Sequence, residues 1–439
     1  MFFIYSFLYT LVFVLMLPLF GLSAIFRGKH AAGFFQRLGF LPKFKPDYRP
    51  VVWLHCVSVG ETNAARPLVD ELKTALPNLR LVVSTTTRTG QKLAKTIFAD
   101  TAECVFYVPF DWKWTVRRTL HRFEPKVLLL METEIWFNLI RETYKNRGRV
   151  AIVNGRLSER SFERYAKIRQ FMKRILGYLD LALMQENADA TRLMSLGLRA
   201  SKVKVTGNLK FDHDLDEQEN AFTNEIRDRF GITADAPLII AASTHPPEEK
   251  WVTEAFKTVW KMSGNNLPRL MIAPRHPERF AEVAEIVKAT GFTWVRRSEK
   301  ASSRDKVAEI ILLDSIGELR AAYPLAEIVF VGGSLIPHGG QSIFEPAAAG
   351  KAIVTGPHTT NFEAAVKEFL DKDALVQIEN VSEKDAAAKL AAAFSELLTH
   401  AERRRMLGTA SHEVMKNNRG AAKRTIEYII PLIQPHEHQ

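Results

Sequence analysis

From residue 50 onward, short apolar runs alternate with longer stretches of helical periodicity, and the alternation happens twice. No other feature of the chain narrows the fold as far. A strand whose residues are all apolar is buried on both faces, and that occurs where helices cover both sides of a parallel sheet. The first series reads as strands at Val51–His55, Leu81–Ser84, Cys104–Tyr107, Val127–Leu130, Val150–Val153, Leu181–Met184 and Val203–Thr206. Between them lie helical stretches such as Asn63–Leu76 and Glu159–Leu179. The second series is Leu238–Ala242, Leu270–Ala273, Thr293–Val295, Ile310–Leu313, Ile328–Val331, Ala352–Thr355 and Leu375–Ile378, followed by a helical tail from Glu383 to Leu432. The expected fold is therefore α/β: two Rossmann-like, doubly wound domains facing a cleft, preceded by an N-terminal membrane-anchor helix. We expect the anchor at 1–26, a first domain at 27–211, an acidic linker at 212–235 (opening on DHDLDEQEN) and a second domain at 236–439 with its C-terminal helices.

The anchor rests on one stretch. No charged residue occurs between Met1 and Phe26, and the 19-residue run Phe2–Phe20 would cover about 29 Å of hydrocarbon as a helix. A cleaved signal peptide would carry basic residues ahead of its apolar segment, and here they follow it. Arg27, Lys29, Arg37, Lys43, Lys45 and Arg49 face Asp47 alone, and carry five of the eleven excess positive charges. That asymmetry puts the bulk of the chain on the cytoplasmic side, as a single span or as a monotopic helix in one leaflet. The net charge of +11 implies an anionic partner: nucleic acid, nucleotide, phospholipid or phosphorylated substrate. Cys56 and Cys104 are the two cysteines, too few for a disulfide framework or a four-cysteine metal site.

In open α/β sheets ligands bind at the carboxyl ends of strands, so the loops there carry the chemistry. In the second half, Gly332 to Gly350 (GGSLIPHGGQSIFEPAAAG) follows the strand IVFV. Gly332, Gly333, Gly339 and Gly340 let amides approach a ligand, and Gln341–Ser342 opens a helix whose N-terminus suits a phosphate. Glu345 is placed to accept from ribose hydroxyls. APRHPER contributes Arg275, a bidentate phosphate partner, and His276. DSIGEL, Asp314 to Leu319, supplies small residues for contacts to a base.

The first half offers carboxylates. HCVSVGE ends the first strand and sets Glu61 at the start of the next helix, facing the cleft as a general base; a glutamate there also complements the helix dipole. METE, Met131 to Glu134, aims Glu132 and Glu134 at the same region. NGRLSER adds Arg156 and Arg160, and GNLKFD places Lys210 near the domain junction. A cleft lined with Glu and Lys suits group transfer from a nucleotide.

Other signals are weaker. Asp212, Asp214 and Asp216 have D-x-D spacing for Mg²⁺, or are simply solvated in the linker. Trp112 to Phe123 interleaves aromatics with Arg117, Arg118 and Arg122, as a lipid-headgroup face or an ordinary basic helix. Neither G-x-S-x-G nor a P-loop motif occurs, and no Cys/His spacing marks a zinc site.

Taken together, HCVSVGE, STTTRTG, METEIW, NGRLSERS, VTGNLKFD, APRHPERF, FVGGSL, GGQSIFEPAAAG and GPHTTNF resemble the bacterial 3-deoxy-D-manno-octulosonic acid (Kdo) transferases, in order and along essentially the whole chain. The resemblance implies the GT-B glycosyltransferase fold. It also implies transfer of Kdo from CMP-Kdo to the phosphorylated lipid A precursor at the cytoplasmic face of the inner membrane, by an inverting reaction that needs no metal or other cofactor. By the same resemblance Glu61 is the general base and Glu132 and Lys210 stabilise the transition state. Pro274, Arg275, Ile316, Gly317, Glu318, Ser342, Ile343, Phe344 and Glu345 contact CMP. Two departures stand out: His245-Pro246-Pro247-Glu248 where the family usually carries glycine, and Gln341-Ser342 in place of His-Asn.

Two other readings remain. One is another GT-B enzyme using a UDP-sugar and a membrane acceptor, or an epimerase of related fold. The other is a non-catalytic protein tethered to anionic lipid or nucleic acid. The latter predicts a continuous basic stripe with stacking aromatics, whereas the loops here carry carboxylates.

Overall fold

The structure, a computed structural model, describes residues 2–27, 33–45, 47–212, 217–233, 235–264, 267–379, 381–434, without the side chains of 17–27 and 217–220. The chain divides into two compact units, one formed by Met1–Asp212 with Asn418–Gln439, the other by His213–Asn417.

Unit 1 holds a seven-stranded sheet of β1 (Val51–Cys56), β2 (Arg80–Thr85), β3 (Ala102–Tyr107), β4 (Val127–Met131), β5 (Arg149–Gly155), β6 (Leu181–Met184) and β7 (Val203–Val205). Its order is β3-β2-β1-β4-β5-β6-β7 and every pairing is parallel. The order reverses between β1 and β4, where Val52 pairs with Val127 and His55 with Leu130. Trp53, Leu128, Leu130, Val150 and Ile152 are buried on one face. Val52, Leu54, Leu129, Ala151 and Val153 are buried on the other. Burial of both faces is what the unbroken apolar runs required.

Unit 2 repeats the plan with β8 (Leu238–Thr244), β9 (Arg269–Pro274), β10 (Trp294–Arg296), β11 (Ile310–Leu312), β12 (Ile328–Val331), β13 (Ala352–Thr355) and β14 (Val376–Gln377). The order is β10-β11-β9-β8-β12-β13-β14, again with every pairing parallel. Here the reversal lies between β8 and β12. Each expected strand forms within two residues of its expected ends.

Three expectations are corrected. The last helix, Ala421–Ile433, belongs to unit 1, not to the second domain. Its Ile426, Ile429 and Ile433 pack into the core beside Val83 and Leu183. The supposed linker carries a helix, Glu217–Phe230, that is part of unit 2. Ile226 and Phe230 are buried, Thr223 donates to the Ala321 carbonyl at 2.7 Å, and Arg229 pairs with Asp305 at 2.7 Å. Asp212 is not solvated; its carboxylate accepts from the Gly420 and Ala422 amides at 2.6 and 2.5 Å and so caps the last helix. Asp214 and Asp216 lie outside the described residues.

The third correction concerns the N-terminal helix, Phe2–Arg27. Among the described residues no helix is long and apolar enough to cross a membrane. One side of the N-terminal helix docks on unit 1. Tyr5 donates to the buried Asp111 at 2.7 Å, Tyr9 accepts from the Asp111 amide at 3.4 Å, and Thr10 accepts from the Trp112 indole at 2.9 Å. Phe2 meets Phe171 edge-on, and Phe13 meets Trp112. Phe3, Ile4, Phe7, Leu8, Leu11, Val12 and Leu15, at helical spacing, stay exposed on the other side. Part of the basic collar is likewise committed within unit 1. The Arg37 guanidinium donates to the Thr86 carbonyl and stacks over Tyr107. Arg49 bonds Asp47 and Glu103.

Candidate active site

Glu61 is built by the turn that follows β1. Ser58 caps the helix Val59–Ala64, accepting from the Glu61 amide at 3.4 Å. The Ser58 hydroxyl donates back to Glu61 Oε1 at 3.0 Å and the Val57 amide to Oε2 at 2.7 Å. Ser58-x-x-Glu61 is thus a capping-box pattern, legible in the sequence as a helix start. Its glutamate is only 6% exposed. Burial, and then the charges of Glu132 and Glu134, push its carboxyl up from 4.5 to about 8. Burial raises Glu134 as well, against the Trp136 indole that donates to it at 3.2 Å.

Glu132 and Glu134 follow β4, the neighbour of β1, so three carboxylates gather where the strand order reverses. Glu132 has φ 53°, which turns the chain sharply off the strand. Lys210 reaches Glu132 at 3.4 Å. Two asparagines fix the lysine's turn: Asn208 accepts from the Lys210 amide at 3.0 Å and Asn154 from the Leu209 amide at 2.9 Å. Glu61, Glu132 and Lys210, expected from three distant motifs, are therefore brought together in one unit. The supports Ser58, Asn154 and Asn208 were not singled out. Arg156 contributes its carbonyl, which accepts from Thr133 at 2.5 Å, while the Arg160 residue is exposed.

The residues expected on the nucleotide side all fall in unit 2. Pro274 ends β9 and Arg275 is exposed beyond it, its amide donating to the Thr244 carbonyl at 3.0 Å. Ile316 is 75% exposed beside Gly317, whose φ of 93° the turn requires. Glu318 is held by Arg297 through two bonds of 2.8 Å and by Ser315 at 2.6 Å. Burial alone would raise its carboxyl, but those donors bring it below the usual range. Ser342 donates to Glu345, so both are partnered within their own turn. The expected helix after Gln341 spans only Phe344–Ala348, too short for a strong dipole.

The glycine loop also differs from expectation. Buried Glu248 accepts from the amides of His245, Gly333, Ser334 and Leu335 at 3.0, 2.7, 3.1 and 3.0 Å. The Gly332 and Gly340 amides donate to the carbonyls of Ala242 and Gly333. The amides of Gly332, Gly333 and Gly340 are thus spent inside the fold. The sequence signal was Glu248, set just beyond the His245-Pro246-Pro247 departure.

The profile of the 3-deoxy-D-manno-octulosonic-acid transferase (kdotransferase) family matches residues 32–213. A 3-deoxy-D-manno-octulosonic acid transferase of Haemophilus influenzae is 33% identical over 98% of this chain and 99% of its own length. One from Bordetella pertussis is 32% identical over 86% of each chain. In fold the chain is similar to a UDP-GlcNAc 2-epimerase from Neisseria meningitidis, with TM-score 0.58 at 12% identity over 87% of this chain and 99% of that one. A glycosyltransferase from Rickettsia africae likewise gives 0.58 at 11% identity, over 89% of this chain and 100% of that one.

Proposed function

This chain belongs to the Kdo transferase family and is a glycosyltransferase, and we propose that it transfers Kdo from CMP-Kdo to a phosphorylated lipid A precursor with Glu61 as the base. The observation that carries this is Glu61 itself: a buried carboxylate of raised pKa at the strand-order reversal of unit 1. An acceptor hydroxyl is a poor nucleophile until a carboxylate takes its proton. Glu61 removes that proton as the hydroxyl oxygen bonds to the anomeric carbon, and the bond to the CMP phosphate oxygen breaks on the opposite face, inverting the centre. Positive charge developing on the sugar is stabilised by Glu132, which Lys210 holds in place. CMP leaves as a phosphate monoester and needs cationic side chains more than a protonating acid; Arg275 and the Ile316–Glu318 turn supply contacts in unit 2. This scheme uses no metal.

We place the protein as monotopic on the cytoplasmic face of the inner membrane. The apolar stripe Phe3–Leu15 enters one leaflet while Tyr5, Tyr9 and Thr10 keep the helix on unit 1. The test is transfer from CMP-Kdo to a tetra-acylated lipid A precursor by the full-length protein, wild type beside Glu61→Gln, with CMP and UDP titrated against both. Transfer by wild type, loss in Glu61→Gln and CMP binding by each supports the reading. Preference for UDP would point to a UDP-sugar donor instead, and equal transfer by both proteins would move the base to Glu132 or Glu134.

A further inference from the structure

At the strand-order reversal of unit 2, three imidazoles converge. The His245 ring, at the end of β8, lies 4.1 Å from the His338 ring on the loop after β12 and 5.2 Å from the His276 ring after β9. His245 is 4% exposed, His276 is half-buried and His338 is exposed, so the cluster opens outward. Gly333 lies among them; a Cβ there would sit 3.3 Å from the His245 ring and 3.5 Å from the His338 ring. Gln341 Nε2 is 3.2 Å from His245 Nε2, an arrangement in which the amide donates and the imidazole accepts. Thr244, fully buried beside His245, has a hydroxyl with no hydrogen-bond partner.

The charges around the cluster are unequal in reach. Glu248 is consumed by four backbone amides, and Glu249 by Arg279 at 2.6 Å. Glu278 approaches His276 only to 3.9 Å and is exposed. Arg275 is exposed on the same loop as His276. The amides of Gly332, Gly333, Ser334, Leu335 and Gly340 serve Glu248 or backbone carbonyls, and the helix that follows has five residues. Cationic recognition at this rim therefore falls to side chains. Among the described residues no group of His, Cys, Asp or Glu is placed to hold a metal ion.

We propose that His245, His276 and His338, with Arg275, form the subsite that takes the donor's anionic group and that a proton enters the cluster with it. This deepens the reading of unit 2 as the donor side and rests on it. In the absence of an anion, burial and the neighbouring His338, His276, Arg275 and Arg279 hold His245 down at about 4. A phosphate or carboxylate arriving over the rings removes the penalty for one positive charge. The proton comes from solvent to an imidazole nitrogen, and Gln341 turns its amide to present oxygen if that nitrogen is His245 Nε2.

Titration calorimetry on the full-length protein at pH 7.5, in buffers of different ionisation enthalpy, tests this with CMP-Kdo, CMP, cytidine and free Kdo as probes. The diester of CMP-Kdo does not titrate in this range, so proton uptake reports on the protein. We expect uptake with CMP-Kdo and none with cytidine. Uptake that CMP reproduces assigns the phosphate to the cluster, and uptake that free Kdo reproduces assigns the sugar carboxylate. His338→Phe keeps a ring against His245 and, being exposed, should leave the fold intact. It should weaken CMP-Kdo binding about tenfold and abolish most of the uptake, raising the donor KM with kcat little changed. Tight CMP-Kdo binding with no uptake, or with uptake unaltered in His338→Phe, overturns the inference while leaving the donor reading intact. Failure of the wild type to bind either CMP or CMP-Kdo overturns both.

Discussion

The two units share a plan and differ in charge. Each has seven parallel strands whose order reverses beside its central first strand, and each gathers titratable side chains there. In unit 1 the loops after β1 and β4 collect Glu61, Glu132 and Glu134, with Lys210 as counter-charge. In unit 2 the loops after β8, β9 and β12 collect three imidazoles and Arg275. The backbone amides go to the same use in both: they satisfy an internal glutamate, Glu61 through Val57 in one case and Glu248 through four donors in the other. Topology chooses where a ligand binds, and the loop residues choose what it is asked to do. A cluster of carboxyls suits the removal of a proton; imidazoles beside a guanidinium suit the holding of an anion.

If this contrast is functional, substitutions in unit 1 should fall on kcat and those in unit 2 on donor affinity. The largest effect belongs to Glu61→Gln, which we expect to lower kcat about 10³-fold with an unchanged donor Kd by calorimetry. Next come Glu132→Gln and Lys210→Met, each about 10²-fold in kcat. A shift of donor KM instead of kcat in steady-state assays of either variant would break the comparison. Across the divide, Arg275→Ala should raise the donor KM about tenfold and change kcat only a few-fold.

The raised carboxyl of Glu61 gives a pH signature. With a pKa of about 8, about a tenth of the free enzyme carries the carboxylate at pH 7. The kcat/KM for transfer should therefore climb with pH and level off above 8. Stability runs the other way. A carboxyl whose folded pKa lies above its unfolded value binds more protons in the native state, so its stabilising contribution is complete below about pH 4.5 and is lost as pH rises through 8. Glu61→Gln removes that loss and should stabilise the protein at pH 8 by about 4 kcal/mol relative to wild type, with little gain at pH 4.5, as read from denaturant melts. The smallest effect lies at the edge of unit 1. Tyr5→Phe deletes the donor to the buried Asp111 and should cost about 1 kcal/mol, leaving both kcat and donor KM intact.

The parts of the site differ in how readable they are. Glu61 could be placed because a strand end followed by a glycine is a local signal, and Glu132 because METE interrupts an apolar strand; the S-x-x-E box was there to be read and was not used. Lys210 was legible as a residue but not as the partner of Glu132, since 78 positions separate them. The glycine loop was only partly legible for a physical reason: glycines announce that amides are accessible, not whom they serve. Only the packing of helix Glu248–Met262 against the β12 loop reveals that Glu248 has taken the amides of Gly333, Ser334 and Leu335.

The apolar period of the chain by itself determined two parallel α/β sheets, because unbroken apolar strands demand cover on both faces and parallel strands demand crossovers. By locating the strand ends it also put Glu61, Glu132 and Glu134 on loops of the first half and Arg275 and His276 on a loop of the second. Tertiary structure alone decided three things: that the last helix closes the core of unit 1, that one side of the N-terminal helix docks on Asp111, and that three histidines from separate strands share one rim. Those outcomes depend on contacts between residues far apart in the chain, and a periodicity read over a dozen residues carries no information about them.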